Sequence, residues 1–540
     1  MVKEEVKKII QKALEKMGAE ASEALVEVPK EKTHGDYSSN VALALSKKLG
    51  KNPIEVAQEI VAKIGEQKNI EKIEVAGPGF INFYLSREFF VGELKKINKN
   101  FGKNVSLKNK KIIIEYTDPN ILKEFHIGHL MSNAIGESIS RLIEFGGAKV
   151  KRTTWQSDVG LGIAKAVYGK MRNSLYSWQD AYVFGTKSYE ESEANKKEIV
   201  MLNKKIFERS DKAVNKLYDE GKKWSLKYFD AIYKKLGTHF DYLIFESEAV
   251  DLAKKIVQEG LKNGVFQTGE NGAIIFKGEK FGLHTRVFIN SEGLPTYEAK
   301  ELGLAKIKYG KYKYDKSVII TGNDINEYFK VLLCAMKEML PELEAKTKHI
   351  GHGNMRLPEG KMSSRSGTAM TAESLIEKVK ELVVEKTKDR ALDKNVDEQI
   401  AIGAIKYSIL KQSIGSDIIY DFEKSISFEG DSGPYLQYSY ARATSVLRKA
   451  TVKPLLAGAP EIGSLEKLLT HFPKIVAKAT DEYEPHYIVL YLTELAREFN
   501  NYYAHHTIAD SPYRVALTQA FSIIMKNGLW LLGIEAPEKM

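Results

Sequence analysis

The sequence predicts an α/β domain built on a parallel sheet, preceded by an α+β segment and followed by an all-helical segment. From about residue 110, a β-branched run, an amphipathic helix and a second strand-like run follow one another, which is the order of a βαβ unit. Before this unit lie helical patterns and an alternating segment around a Gly-Pro-Gly turn, and after about residue 390 helical periodicity continues almost without interruption. A chain of 540 residues is long enough for roughly three domains.

The first segment, residues 1–105, begins with an amphipathic helix. Apolar residues recur at helical spacing from Val6 to Met17 among charges of both signs, which is unlike the unbroken apolar core of a signal peptide. Asn52 and Pro53 occupy the positions of a helix cap and a first helical residue. The segment "IEKIEVAGPGFINFYLS" alternates about its Gly-Pro-Gly turn and predicts two strands.

The second segment, residues 106–390, carries the βαβ unit. We predict a strand at "KKIIIEYT", a helix at "HLMSNAIGESISRLIEFGG" that ends at its glycine pair, and a strand at "AKVKRTTW". Residues from about 168 to 265 predict a helical insertion, after which "AIIF", "RVFI" and "SVIITG" are expected to return to the sheet. Residues 391–540 predict an all-α bundle.

Composition limits the class of protein. A hydrophobic content of 43% and a charged content of 28% are typical of a soluble globular protein, and no apolar run approaches the length of a membrane span. The net charge of +10 has the sign expected of a protein that binds a polyanion, but a lysine-rich proteome explains it equally well. The single cysteine, Cys334, excludes intramolecular disulfides and a thiolate zinc site. We expect a cytoplasmic protein.

The stretch "EYTDPNILKEFHIGHL", which starts at Glu115, holds the first candidate site. His126 and His129 could be metal ligands, core residues or phosphate-binding residues. A zinc site needs further ligands, and no nearby cluster offers them. The histidines lie between a predicted strand and a helix N-terminus, where backbone N–H groups favour an anion, and Gly128 permits close approach of a ligand. The phosphate interpretation is therefore favoured over the metal, and satisfied core histidines remain an alternative.

The segment "EGKMSSRSG" holds the second candidate site. Glycines on both sides suit a loop that closes over a ligand. Two cations and two hydroxyls within five residues suit triphosphate oxygens, whereas a solvated basic turn is the better interpretation of an isolated K-x-S-S. The candidate residues are Lys361, Ser363, Ser364 and Arg365.

Together and in this order, the H-x-G-H turn and the K-M-S-S loop resemble the HIGH and KMSKS motifs of class I aminoacyl-tRNA synthetases. The residues around the first motif resemble its arginyl-tRNA synthetase form, E-x-x-x-P-N-x-x-K-x-x-H-x-G-H. The segments "VAGPGFINFYL", "GPYLQYSYAR" and "LGIEAPEKM" are similar to terminal domains of that family. The chain is identified as a member of it. The motif region comprises Pro119, Asn120, Ile121, Leu122, Lys123, Glu124, Phe125, His126, Ile127, Gly128 and His129.

The resemblance implies a Rossmann-like catalytic domain, an N-terminal domain that binds the tRNA elbow and a C-terminal anticodon-binding bundle. It implies ATP-dependent formation of arginyl-adenylate and transfer of arginine to the 2′-hydroxyl of the terminal adenosine of tRNA(Arg). ATP would enter with Mg²⁺, without a tightly bound metal or organic cofactor. The protein is expected to act as a monomer without a membrane partner, and the family suggests that tRNA must bind before arginine is activated.

The resemblance also implies an arginine site. A guanidinium with five fixed donors requires carboxylates. Glu301 stands where the family commonly has Asp, and Ile325 stands where it often has Gln, which leaves Asp324 as a weaker candidate. The residues implied to contact arginine are Glu115, Asn120, Tyr297, Glu301 and Asp324.

For the nucleotide, the resemblance implies that His126 and His129 bind the α-phosphate, and Lys123 and Lys361 the β- and γ-phosphates. Ser363 and Ser364 would close the second motif on them. The segment "WQSDVGLG" is similar to the family's G-D-W-G segment, with Ser157 and Val159 as departures. Asp158 and Gly160 are retained there and are candidates for the nucleotide site.

For tRNA, Phe80 and Asn82 are candidates for the elbow contact, one by stacking and one by reading a base edge; Phe80 as a core residue is the alternative. Tyr435, Tyr438, Arg442 and Tyr502 are candidates in the bundle, where core packing or phosphate contact is favoured over base reading. Other possibilities are a cysteinyl- or glutaminyl-type synthetase, a small nucleotidylyltransferase, which the length disfavours, and a catalytically silent relative that only binds RNA.

Overall fold

The computed structural model describes residues 2–19, 25–29, 31–356, 370–388, 394–457 and 462–540. The described chain forms two compact units. The first comprises Met1–Phe101, Lys449–His471 and Tyr502–Ile523, and the second comprises Gly102–Arg448, Phe472–Asn501 and Ile524–Met540. Because the C-terminal residues contribute to both units, the division into three domains near residues 105 and 390 stays a prediction. No helix in the described ranges is long and apolar enough to cross a membrane.

The N-terminal part of the first unit packs helices against an antiparallel sheet of order β1-β2-β4-β3. The predicted cap is confirmed, because the Asn52 side chain accepts a hydrogen bond from the Ile54 N–H at 2.9 Å. The predicted strands pair on either side of the Gly-Pro-Gly turn. The elements are α1 (Val2–Lys16), β1 (Val26–Glu27), β2 (Tyr37–Ser39), α2 (Val41–Leu49), α3 (Pro53–Ile64), β3 (Ile70–Ala76), β4 (Phe80–Leu85) and α4 (Arg87–Leu94).

The second unit begins with the predicted βαβ unit, which is confirmed as β5 (Lys111–Glu115), α5 (Ile127–Phe145) and β6 (Lys149–Gln156). The following elements are α6 (Leu161–Arg172), α7 (Trp178–Glu191), α8 (Glu193–Glu208), α9 (Lys212–Lys235), β7 (Tyr242–Phe245) and α10 (Glu246–Lys262). Residues expected to be a purely helical insertion therefore include one strand. β7 pairs in parallel with β6, so this strand belongs to the main sheet.

Beyond α10, the chain forms a small separate sheet before it completes the main one. The elements are β8 (Gln267–Thr268), β9 (Ile274–Phe276), β10 (Arg286–Ile289), α11 (Tyr297–Lys311), β11 (Lys316–Gly322), α12 (Asn326–Met339), α13 (Pro341–Glu344) and β12 (Thr347–His352). The parallel sheet has the order β12-β11-β5-β6-β7. The expectation that "AIIF" and "RVFI" return to it is wrong, because they pair antiparallel with each other. Short connections permit antiparallel pairing, whereas a parallel pair needs a long crossover.

The rest of the described chain is almost entirely helical, as predicted. Its elements are β13 (Met355–Arg356), α14 (Ala372–Thr387), α15 (Lys394–Leu410), β14 (Ile418–Ile419), α16 (Phe422–Ser425), α17 (Gly433–Lys449), α18 (Ser464–Glu482), α19 (His486–His505) and α20 (Pro512–Leu531). The exception is one short parallel pair, β13 with β14.

Helix α5 is fixed on the sheet by close packing and buried charges. A Cβ atom on Gly136 would lie 2.2 Å from Cγ of Tyr116, so only glycine fits there. The adjacent Glu137 accepts hydrogen bonds from the Tyr116 hydroxyl at 2.7 Å, from Arg141 at 2.7 Å and from Arg152 at 2.9 Å. Against burial, the two guanidinium groups lower the pKa of Glu137. The N-terminus of α5 therefore has a fixed position relative to the end of β5.

The packing of α5 predicts different effects for two glycine substitutions. Gly136→Ala should destabilise the protein by about 2 kcal/mol, because the added methyl overpacks against Tyr116. Gly310→Ala is the matched control: no atom lies within 4 Å of its added Cβ, and alanine in a helix should stabilise by up to about 1 kcal/mol. Urea denaturation followed by circular dichroism measures both. Equal effects of the two substitutions would contradict this packing.

Candidate active site

The carboxyl ends of β5 and β11 form the point at which the parallel sheet changes direction. β5 leads through α5 to β6 on one side, and its other neighbour, β11, leads through α12 and α13 to β12 on the opposite side. Ligands of open α/β sheets bind in the crevice at such a point. Helix α5 begins there with His126 as its N-cap. The predicted first motif therefore lies at the expected ligand crevice.

The turn between β5 and α5 contains three residues other than glycine in the left-handed region. Thr117, Asp118 and Leu122 have φ values of 82°, 42° and 63°, each of which costs on the order of 1–3 kcal/mol. Specific bonds hold this conformation. The Thr117 N–H donates to Ser132 Oγ at 2.9 Å, and the Trp155 N–H donates to Asp118 Oδ1 at 2.7 Å. The strain is concentrated where the turn carries polar groups into the crevice.

Helix α9 supports the same turn from the other side. Ser225 Oγ accepts a hydrogen bond from the Leu122 N–H at 2.8 Å, and the Tyr228 hydroxyl accepts one from the Phe125 N–H at 3.3 Å. Gly221 leaves room for Leu122, because a Cβ there would lie 2.4 Å from Leu122 Cδ2. The predicted helical insertion therefore includes a structural support of the first motif, which the sequence pattern did not reveal.

The two motif histidines are stacked and neutral. Their ring centroids lie 3.6 Å apart with an interplanar angle of 23°. Nδ1 of His126 accepts from the Gly128 N–H at 3.1 Å, and Nδ1 of His129 accepts from the His126 N–H at 3.3 Å. Burial and the charge of Lys123 lower the pKa of His126 to about 4, and burial lowers that of His129 well below its usual range. Since each Nδ1 accepts, each neutral ring carries its proton on Nε2 and can donate it to a ligand.

A metal interpretation of the histidines finds no support in the described part of the chain. No group of three or more His, Cys, Asp or Glu residues is arranged there to hold a metal ion. The core interpretation fits His129 better than His126, because His129 is buried and His126 is only partly so. The arrangement as a whole suits an anion placed at the start of α5.

Lys123 lies beside the imidazoles. Its Nζ atom is 3.9 Å from the centroid of the Tyr182 ring, and its charge contributes to the lowered pKa of both histidines. A Cβ on Gly162 would lie 3.6 Å from Cε and Nζ of this lysine. The ammonium group therefore occupies a defined place between the motif and helices α6 and α7.

The second motif lies outside the described residues, and with it Lys361, Ser363, Ser364 and Arg365. The chain that follows it is described. Thr371 forms an antiparallel bridge with His126, and the Ala372 N–H donates to the Phe125 carbonyl at 2.7 Å. The segment that leaves the second motif is thus hydrogen-bonded to the first motif.

Three acidic side chains face a single buried lysine near the end of β5. Glu115 is 1% exposed and accepts a hydrogen bond from Lys308 Nζ at 2.7 Å. Glu301 is also buried, and its Oε1 atom has no hydrogen-bond partner among the described residues. Burial and the charge of Glu115 raise the pKa of both Asp118 and Glu301 well above the usual range of a carboxyl. This cluster has an excess of buried acid that a cationic ligand would satisfy.

Aromatic side chains line the cluster. The ring of Tyr297 lies 4.8 Å from that of Trp155 and 5.1 Å from that of Tyr328. Trp155 Nε1 and the Tyr328 hydroxyl are buried without a hydrogen-bond partner in the ranges that the structure describes. An apolar wall with a few unpaired polar groups is typical of a small-molecule site.

The structure places Asn120 at the edge of the acid cluster. It does not place Asp324 there. Asn120 forms a parallel bridge with Ser157, directly after β6, and the Ile121 N–H donates to the Ser157 carbonyl at 3.0 Å. Asp324 is exposed in the turn between β11 and α12. Of the five predicted arginine contacts, Asp324 is the only one that is exposed.

Asp158 and Gly160 occupy a structural junction. The Asp158 carboxylate is fully buried and accepts from Tyr218 at 2.9 Å, from Lys222 at 2.8 Å and from the Ser247 hydroxyl and N–H at 2.7 and 2.9 Å. Gly160 caps α6 with a φ of 114°. The partners of Asp158 come from α9 and α10, so its carboxylate joins these helices to the end of β6 and presents no unpaired oxygen to a nucleotide.

The two elbow candidates lie on β4 and border one cavity. Phe80 is 39% exposed, so it is not a core residue. Asn82 is buried, and its side-chain oxygen accepts a hydrogen bond from Ser38 at 2.7 Å. Both line a cavity of about 380 Å³ that also contacts His34 and Pro78.

The four bundle candidates are divided between the units. In the second unit, Tyr435 is half-buried on α17, and the Arg442 guanidinium lies 4.7 Å from the ring of Tyr438. Arg442 also donates to Asn500 at 2.6 Å. In the first unit, Tyr502 stacks on His506 at 4.4 Å. These contacts fit the expectation that packing dominates at these positions.

Sequence reasoning missed Lys308 as part of the acid cluster. Lys308 follows Glu301 by seven residues on α11, and residues at this spacing share a helix face. A lysine on the face that carries a candidate ligand is a signal that could have identified it. Asp118 was also missed, although it lies inside the quoted motif.

Comparison with known proteins covers nearly the whole chain. Residues 93–422 match the family model of the class I tRNA synthetase (R) catalytic domain, residues 4–85 match the arginyl tRNA synthetase N-terminal domain, and residues 436–540 match the DALR anticodon binding domain. The chain is 31% identical to the arginine–tRNA ligase of Clostridium acetobutylicum, over 99% of this chain and the full length of that protein. It is 30% identical to the same enzyme of Fusobacterium nucleatum over 99% of both chains.

Solved structures share the fold. The arginyl-tRNA synthetase of Thermus thermophilus matches with a TM-score of 0.80 over the whole of both chains, at 24% identity. That of Plasmodium falciparum matches with a TM-score of 0.81 over all of this chain and 99% of its own, at 22% identity.

The histidine geometry predicts a specific tautomer. Long-range ¹H–¹⁵N NMR spectra should show His126 and His129 with the proton on Nε2, and neither should titrate between about pH 6 and pH 8, because burial holds their pKa values below this window. The spectra of His126→Asn and His129→Asn assign the signals. An Nδ1–H form, or a titration midpoint near the usual value, would contradict this geometry.

Proposed function

The chain belongs to the arginyl-tRNA synthetase family, and from that premise we propose which of its residues bind arginine and ATP. The enzyme charges tRNA(Arg) with arginine. The reaction has two steps. The arginine carboxylate attacks the α-phosphorus of ATP and expels pyrophosphate, and the arginyl group then passes from the adenylate to a ribose hydroxyl of the tRNA.

Arginine recognition rests, in this proposal, on the buried acids. The guanidinium donates to Glu301 and to the Glu115 oxygen that Lys308 does not occupy, while Tyr297 lines the site and Asn120 contacts the backbone end of the amino acid. The observation that carries the proposal is the unpaired Oε1 atom of Glu301, buried beside acids that outnumber the single ammonium. A buried carboxylate oxygen without a hydrogen-bond partner favours a ligand that supplies a donor and a positive charge. Asp324, which is exposed, has at most a peripheral role.

ATP is placed at the start of α5. The Nε2–H groups of His126 and His129 donate to oxygens on the α-phosphorus, where negative charge grows in the transition state. Gly128 allows the phosphate to approach the backbone, and the helix N-terminus attracts it. The substrate carboxylate is already a nucleophile, so this step needs positioning and charge stabilisation rather than a general base.

The β- and γ-phosphates are bound by Lys123 and by the second motif. Lys123 lies beside the histidines, and Thr371, which follows the second motif in the sequence, is paired with His126. In the proposal, Lys361 and Arg365 supply charge, and Ser363 and Ser364 help to close the loop. Asp158 is assigned a structural role, and Gly160 contributes the cap of α6.

The elbow and the anticodon loop of the tRNA are bound, in this proposal, by residues outside the arginine and ATP sites. Phe80 stacks on a base of the elbow and Asn82 reads its edge, which the exposure of Phe80 supports. The bundle residues Tyr435, Tyr438, Arg442 and Tyr502 either pack within the anticodon-binding bundle or contact phosphates of the anticodon loop. These roles correspond to three functional modules, residues 1–105, 106–390 and 391–540.

The remaining proposals concern conditions of action. Aminoacyl-tRNA synthetases use ATP with Mg²⁺, and we propose that the ion enters on the nucleotide and retains much of its water. We propose that the enzyme acts as a monomer. It acts in the cytoplasm, which the lone Cys334 supports.

The direct test is pyrophosphate exchange with each amino acid, with and without tRNA. Exchange should depend on arginine alone. Exchange with another amino acid would overturn the assignment of the acid cluster, and absence of exchange with every amino acid would favour an RNA-binding protein without catalysis.

Removal of the Glu301 charge should specifically weaken arginine binding. Glu301→Gln should raise the Kd for arginine by about 100-fold, because a buried guanidinium loses a charged partner. The Kd for ATP should change less than about threefold. Glu298→Gln is the matched control: Glu298 is a buried acid on the same helix whose neighbour is Arg286, 3.8 Å away. Isothermal titration calorimetry measures the Kd for arginine and the Kd for ATP of the unaltered protein and of both variants. Equal arginine affinities of the two variants would place the arginine site elsewhere.

Arginine affinity should also depend on pH. The pKa values of Asp118 and Glu301 are raised in the free protein, and a guanidinium favours their ionised forms. Binding should therefore release protons, and the Kd should fall as the pH rises from about 6 to about 8.5, where a carboxyl with an ordinary pKa would already be ionised. Calorimetry in buffers of different ionisation enthalpy counts the protons. A Kd independent of pH, or proton uptake, would contradict the prediction.

A further inference from the structure

The Lys308–Glu115 pair is unusual for its surroundings. Both side chains are 1% exposed, and Nζ lies 2.7 Å from Oε2. Against burial, the charge of Glu115 raises the pKa of Lys308, so the ammonium stays charged. Lys308 also interacts electrostatically with Asp118 and Glu301, and its charge partly opposes the rise in the pKa of both carboxyl groups. One buried ammonium therefore acts on three carboxyl groups.

A second buried pair on the same helix shows the contrast. Lys300 bonds to Glu246, and both are buried. That pair has one charge of each sign. The Lys308 cluster has three acids and one ammonium, so full ionisation leaves 3 − 1 = 2 negative charges, and a bound guanidinium leaves one. Buried ion pairs are often no more stabilising than apolar residues of the same size. Stability of the fold is therefore a weak explanation for Lys308.

Every element packed around the cluster presents titratable groups to it. Glu115 and Asp118 come from β5 and the turn after it, and Glu246 comes from α10. Helices α9 and α12 each contribute one tyrosine. The other groups come from α11 and the loop that follows it. These groups are Glu115, Asp118, Tyr233, Glu246, Tyr297, Glu301, Lys308, Tyr314 and Tyr328. Among the described groups of this set, Lys308 is the only cation. Lys300 is bonded to Glu246 of this set, so its charge is already paired.

We propose that Lys308 is a positioning residue for arginine recognition: its ammonium fixes Glu115 and offsets part of the mutual repulsion of the three acids, so that Glu115 and Glu301 can both be ionised when one guanidinium binds. This inference rests on the arginine site proposed above. Asp118, whose Oδ1 accepts from the Trp155 N–H at 2.7 Å and from Thr154 Oγ1 at 3.4 Å, is the third acid. These hydrogen bonds hold Asp118 in place, and its carboxyl group contributes to the negative charge of the site.

The geometry explains why the counter-ion must be built in. Without Lys308, the repulsion among the three acids would be larger, and the pKa values of Asp118 and Glu301 would rise further. Arginine would then displace their protons at a greater cost in free energy, which weakens binding at neutral pH. At high pH the protons are lost in any case, so the same site would bind arginine well. A merely structural lysine would not produce this dependence on pH.

The experiment compares Lys308→Met with Lys300→Met, a matched loss of a buried lysine from the same helix. Calorimetry gives the Kd for arginine from about pH 6.5 to pH 9, and thermal denaturation gives stability. For Lys308→Met, we expect Kd to rise by about 30-fold near pH 7, as for a shift of one to two pKa units, with the defect reduced to about threefold near pH 9. For Lys300→Met, we expect a similar loss of thermal stability without a pH-dependent change in Kd. A defect of Lys308→Met that is the same at every pH, or no defect, would overturn the proposal.

A measurement on the unaltered protein covers the case in which Lys308→Met does not fold. NMR of ¹³C-labelled lysine side chains should show Lys308 charged from pH 6.5 to pH 9, with and without arginine. A neutral Lys308 in either state would overturn the proposal. The Glu301→Gln variant separates the two levels of inference. Normal arginine affinity in that variant refutes the arginine site itself, whereas weakened affinity with a pH-independent Lys308→Met defect refutes only the role of Lys308.

Discussion

Buried negative charge at the end of β5 is the constraint on which the site depends. Glu115, Asp118 and Glu301 share one ammonium, that of Lys308, and Glu115, Glu301 and Lys308 are buried. Burial penalises every ionised carboxyl that lacks a partner. In the free protein, the pKa values of Asp118 and Glu301 are therefore raised. A bound guanidinium favours the ionised form of both carboxyl groups. Substrate selection follows from this charge balance, because lysine cannot present the planar fork that reaches two carboxylates at once.

The strained turn that follows β5 connects this charge cluster to the nucleotide. Thr117 and Asp118 adopt positive φ values, and hydrogen bonds from the strand and helix around them hold that conformation. The same turn ends at His126, whose backbone and ring complete the cap of α5. Amino acid and phosphate groups are therefore placed by one short segment. Catalysis by positioning requires such a fixed relation between the two reactants.

The sequence was sufficient for the βαβ unit, the cap at Asn52 and the place of the first motif at the start of α5, because periodicity, glycine positions and motif spacing are local signals. It was not sufficient for the sheet membership of β9 and β10, since strand-like runs do not specify their partners. Nor did it predict the support of Leu122 by Ser225 or the pairing of Lys308 with Glu115, which join residues 103 and 193 positions apart. At Asp158, a position predicted to bind nucleotide, the carboxylate is saturated by partners from α9 and α10. Long-range polar contacts decide which of the acids remain available to a ligand.

A crystal structure with arginine bound tests the central claim most directly. We expect guanidinium nitrogens within about 3 Å of Glu301 and of Glu115, with Lys308 still bonded to Glu115. Arginine bound away from these acids, or the guanidinium in the place of the Lys308 ammonium, would contradict the proposed arginine site.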